Sequence, residues 1–172
     1  MSGLLYKANA ADVVERLRAL YERRAADRLF AVLRVAGEGK RTLAEFRKKH
    51  PQGPCEHPDP AERIAYWDDY LRERPRIEDD SLPSAYLYEM DMALWGGMFG
   101  AETVFTCNSE NGQISSNAKP VLRDWSEFER LRLDRSHPWF QAYLTQLRVF
   151  AAGAAGKFGV CPICLLNGFH FS

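Results

Sequence analysis

Apolar positions recur at Val13, Val14, Leu17, Leu20 and Tyr21, with Arg and Glu between them. That spacing predicts an amphipathic helix over Ala11 to Ala26. Leu29 to Val35 is a short continuous apolar run, which predicts a buried strand, and Gly37 and Gly39 break the chain after it. Leu43 to Lys49 reads as helical. Four prolines between Pro51 and Pro60 predict a loop. Ile64, Trp67 and Leu71 form one stripe of a helix over Ala61 to Glu73. Ser84 to Tyr88 is the second strand candidate. Met90 to Phe99 reads as a helix in which Gly96 and Gly97 permit close packing.

Glu102 to Cys107 and Gln113 to Ser116 flank Ser109-Glu-Asn-Gly112, a hairpin turn signal. Ser126 with Glu129 three residues on predicts a capped short helix to Leu131. Pro138 is placed to open a long helix and Gly156 to stop it. Val160 to Leu166 is the third buried strand candidate. Strands alternating with helices predict an α/β class with a parallel sheet.

Composition narrows the partners. Of 172 residues, 46% are hydrophobic and 27% charged, as in an ordinary globular chain. Lys plus Arg and Asp plus Glu balance at 23 each, so global charge does not point to nucleic acid. The N-terminus lacks the apolar run of a secretory signal. No stretch approaches the roughly 20 apolar residues of a membrane span. Four cysteines without an export signal predict reduced thiols and a cytoplasmic location.

The candidate chemistry centres on Asp91. It stands just past a predicted strand, where α/β barrels keep catalytic groups. An aspartate there also suits the N-cap of a helix starting at Met92. Cys161-Pro-Ile-Cys164, with Cys55, His57 and His170, offers a zinc-binding alternative. Against it, residues three apart on a strand face opposite sides, and free cysteines are commonly buried. His50, His57 and His137 each neighbour a proline and read as loop residues. Trp67, Trp95, Trp125 and Trp139 read as core anchors.

The order of motifs resembles the N-terminal part of the uroporphyrinogen decarboxylase superfamily. The matching elements are Arg34-Val-Ala-Gly37, Leu43-Ala-Glu-Phe-Arg47, Asp91, Gly100-Ala101-Glu102, the hairpin, Lys119-Pro120 and Trp125 to Leu131. The resemblance covers most of the chain from about Asp27 onward. It departs at Glu38, where the family has a second arginine; Arg41 could substitute. The resemblance implies one partial domain over residues 1–172, about three βα units of a (β/α)8 TIM barrel.

It also implies cofactor-free tetrapyrrole decarboxylation. Asp91 would stabilise the cationic pyrrole as carbon dioxide leaves, while Arg34 and Arg41 bind substrate carboxylates. The chain alone is expected to be inactive, because later strands supply the rest of such a site. Its uncovered sheet edge is expected to promote self-association. The same superfamily contains corrinoid-dependent methyltransferases, which would bring zinc and a corrinoid partner. A zinc or structural module built on Cys161 and Cys164 is the alternative of another class.

Overall fold

The computed structural model describes residues 3–33, 40–49, 51, 57–72, 77–108 and 113–162. The chain is a mixed α/β protein. Its elements run α1 (Ala10–Tyr21), α2 (Lys40–Lys49), α3 (Pro60–Leu71), β1 (Ser84–Tyr86), α4 (Tyr88–Asp91), α5 (Leu94–Met98), β2 (Thr103–Asn108), β3 (Gln113–Ala118), a 3-10 turn (Trp125–Arg130), α6 (Pro138–Ala154) and β4 (Gly159–Cys161). No helix among the described residues is long and apolar enough to cross a membrane.

Helix ends follow their local chemistry. Asp59 caps α3 by accepting from Ala61 N–H at 3.0 Å, and Pro60 occupies the first turn, where its missing N–H is harmless. α6 starts in the same way: His137 Nδ1 accepts from Trp139 N–H at 3.2 Å, and Pro138 follows the cap. At the other end Gly156 adopts φ +71, the left-handed conformation that stops helices. The chain then turns straight into β4.

β1 and β4 pair in parallel, with Ser84 opposite Gly159 and Tyr86 opposite Cys161. β2 and β3 form a separate antiparallel hairpin, from Thr103 opposite Ala118 to Asn108 opposite Gln113. α3 and α6 cover the parallel pair. Leu71, Ala85, Leu87, Met90, Leu94, Tyr143, Phe150 and Phe158 share the core beneath them. Gly153 of α6 meets Ile64 of α3, where an added Cβ would lie 2.6 Å from Ile64 Cγ1.

Several expectations are corrected. Residues 29–33 form no strand; Leu29 is 91% exposed and Val32 64%. The carboxylates of Asp80 and Asp79 accept from the Ala31 and Leu33 N–H groups, at 3.0 and 2.9 Å. Side chains thus occupy donors that a strand ladder would use. Two parallel strands are therefore found among the described residues where three were expected.

The helix expected over Met90 to Phe99 is two short helices. Between them the Ala93 N–H leaves the helical path and donates to Ser116 Oγ at 3.2 Å. Neither helix is capped by Asp91: Leu87 precedes α4 and Ala93 precedes α5. Asp124, not Ser126, caps the Trp125–Arg130 turn. Two of the four tryptophans are not core anchors, since Trp125 is 81% exposed and Trp95 is 47% exposed. His137 is a helix cap rather than an unengaged loop residue.

Candidate functional site

The two ends of β1 carry different chemistry. Just before the strand, Asp79 and Asp80 gather the N-terminal segment from Lys7 to Leu33. The Lys7 ammonium donates to Asp79 Oδ1 at 3.0 Å and to the carbonyls of Asp79 and Ile77 at 2.7 and 2.9 Å. Arg16 and Arg28 both reach Asp80 Oδ1. Burial pushes the Asp79 carboxyl up. Hydrogen bonds from Leu33 N–H, Ser81 and Lys7 outweigh it and hold the group at about 2. This end has the character of a structural clamp.

The C-terminal end of β1 is where open α/β sheets place their ligands. There the chain enters α4, and Glu89 turns into the core with no exposed surface. Arg63 Nε of α3 donates to Glu89 Oε1 at 3.2 Å, and Gln146 Nε2 of α6 donates to the same oxygen at 2.6 Å. The Arg63 guanidinium is itself held over the rings of Tyr66 and Phe46, at 4.7 and 5.4 Å from their centroids. Burial pushes the Glu89 carboxyl up, and the Arg63 charge opposes it.

The cluster is incompletely satisfied. Glu89 Oε2, Gln146 Oε1 and Arg63 Nη1 are buried without a hydrogen-bond partner among the described residues. The indole N–H groups of Trp67 and Trp139 are in the same condition. Buried polar atoms are nearly always paired, so five such atoms on α3, α4 and α6 are unusual. Beside them His57 Nε2 lies 3.1 Å from Met90 Sδ, with its ring edge-on to Phe105 and Trp139. Partial burial pushes the His57 imidazole below its ordinary value.

The expected site residues fall as follows. Asp91 is the last residue of α4, two positions after Glu89. Arg41 is the second residue of α2, the helix whose Phe46 packs on Arg63. Arg34, Cys55, His50, Cys164, His170 and the Ser109–Gly112 turn lie outside the described residues. Cys161 is a half-buried residue of β4. Among the described residues, no group of three His, Cys, Asp or Glu could hold a metal.

Sequence reasoning missed Glu89, Arg63 and Gln146. A signal existed: Ala85, Leu87 and Glu89 fall on alternate positions, and all three are buried. Extending the strand period three residues past β1 puts a glutamate on the core face, where it requires a partner. Comparison with protein-family models, with curated proteins and with solved structures returns no match.

Proposed function

We propose that this chain is the N-terminal portion of a uroporphyrinogen decarboxylase-like (β/α)8 barrel, with its site at the C-terminal end of β1. The observation that carries the reading is a parallel β1–β4 pair whose first strand runs directly into the acidic turn holding Glu89 and Asp91. In such folds the residues just past a strand's C-terminal end meet the substrate. A parallel pair standing by itself among the described residues also suits a sheet that continues with further strands.

The substrate would be a polycarboxylate tetrapyrrole. Arg41 and Arg34 are assigned to its carboxylates through charge-assisted hydrogen bonds. Asp91 is assigned to the pyrrole N–H groups. As the C–C bond to a side-chain carboxylate breaks and carbon dioxide leaves, the ring passes through a cationic form that a fixed carboxylate stabilises. No nucleophile is required of the protein.

Binding by the chain itself tests this. Titration with uroporphyrin, followed by its visible absorbance, is expected to saturate. Added salt and Arg41→Gln should each weaken the affinity, since both act on charge pairing. Asp91→Asn should weaken it further while the far-ultraviolet circular dichroism stays unchanged. Absence of saturable binding, or wild-type affinity in the Asp91→Asn chain, removes the reading.

A further inference from the structure

We propose that Glu89 is a positioning residue for the strand-end site: gripped by Arg63 from α3 and Gln146 from α6, it sets where the α4 turn and its last residue, Asp91, stand relative to β1. The inference deepens the function proposed above and rests on it only for the role of Asp91.

α4 cannot hold its own geometry. It is four residues long and its N-cap, Leu87, makes no side-chain cap hydrogen bond. One helical turn fixes several dihedrals for very few hydrogen bonds; at its entry Met90 N–H donates to the Leu87 carbonyl at 2.9 Å. Burial of Leu87 and Met90 holds the segment against the core, but apolar burial is non-directional. Directional ties come from elsewhere: Glu89 is reached from α3 and from α6, Ala93 N–H is tied to Ser116 of β3, and Met90 Sδ lies 3.1 Å from His57 Nε2.

The pair is poorly built for stability alone. A buried ion pair contributes little when compared with well-packed apolar residues of similar volume. Here both donors converge on one carboxylate oxygen, and an acceptor or donor is left unpaired on each of the three side chains. Two donors aimed at one oxygen from two long helices define a point in space. That is what a one-turn helix at a site entrance lacks by itself.

Amide hydrogen exchange of the whole chain tests the inference, with Met90 and Ala93 reporting on α4 and Phe150 on the body of α6. Glu89→Ala should speed exchange at Met90 and Ala93 by about ten-fold and leave Phe150 within about two-fold. It should also shift the carboxyl carbon-13 resonance of Asp91. Glu89→Gln keeps an oxygen for Arg63 and Gln146, so it should restore both readouts. If the alanine variant does not fold, Glu89→Met fills the same space without the oxygen and should loosen the turn in the same way. Unchanged exchange at Met90 and Ala93 in the methionine variant overturns the inference. So does a parallel rise at Phe150, or a glutamine variant as loose as the methionine one. Tetrapyrrole binding enters none of these readouts, so a failed uroporphyrin titration counts against the function and leaves the anchoring standing.

Discussion

Lys7 and Asp79 meet across 3.0 Å with side chains 4% and 1% exposed, although they stand 72 positions apart in the chain. This contact makes the N-terminal segment part of the foundation of β1. The Asp79 carboxyl lies at about 2 against an ordinary 3.8. Its contribution is therefore present above 3.8 and lost as pH falls through about 2. Asp79→Asn should cost about 2 kcal/mol at neutral pH. The gap from wild type should close as the pH approaches 2. Urea unfolding at stepped pH measures it, and a gap that does not change with pH would contradict the assignment.

Glu89 has the opposite sign. Its folded-state value is raised above the ordinary 4.5, so its contribution is full below that value and is lost as pH rises through the folded one. Glu89→Gln abolishes this dependence. The variant should gain on wild type in unfolding free energy as pH is raised from 4.5. Parallel curves for the two chains would show that the Glu89 carboxyl is not raised in the folded state.

Gly97 faces the indole of Trp139. An added Cβ would lie 2.4 Å from Cδ1 and 2.8 Å from Cγ of that ring. A rigid ring at the start of α6 cannot swing away as a flexible chain end would. Gly97→Ala should destabilise by about 1–3 kcal/mol. Gly100→Ala has open space but a backbone at φ +85, so it should cost about 1–2 kcal/mol through strain alone. Trp139 fluorescence separates the two mechanisms, because only the first substitution disturbs the indole.

Leu29 and Val32 present apolar side chains to solvent on a segment that belongs to no helix or strand. Such a segment invites pairing with another chain. Leu29→Lys with Val32→Lys should leave unfolding free energy within about 0.5 kcal/mol of wild type. It should also reduce any self-association seen by sedimentation velocity. A stability loss well beyond that bound would place these side chains in a core.

The elements legible in the sequence were those whose signals are local. Pro138 and Gly156 bracket α6 because both act through their own backbone. The hairpin was legible in its Ser109–Gly112 turn signal, and its strands pair from Thr103 opposite Ala118 to Asn108 opposite Gln113. The misreadings were tertiary. Leu29 to Leu33 has strand composition, but the aspartates before β1 reach its N–H groups first. Met90 to Phe99 has helical composition, but Ser116, from a strand later in the chain, takes the Ala93 N–H. Asp91 drew attention as an acid past a strand. The buried acid two residues earlier was marked only by its place in the Ala85, Leu87, Glu89 alternation, because its partners lie on helices far away in sequence.

The parallel register of Ser84 with Gly159 also orders the events of folding. The entire hairpin and all of α6 lie between these strands. β2 and β3 can zip locally in microseconds, but β1 must wait for a long loop to close. During synthesis its partner emerges only after α6 has been made. Until then β1 and the acidic turn behind it have only the N-terminal segment, α3 and β3 to rest on, through Lys7, Arg63 and Ser116. The strand end assigned to the substrate is thus among the last parts of the described chain to take shape.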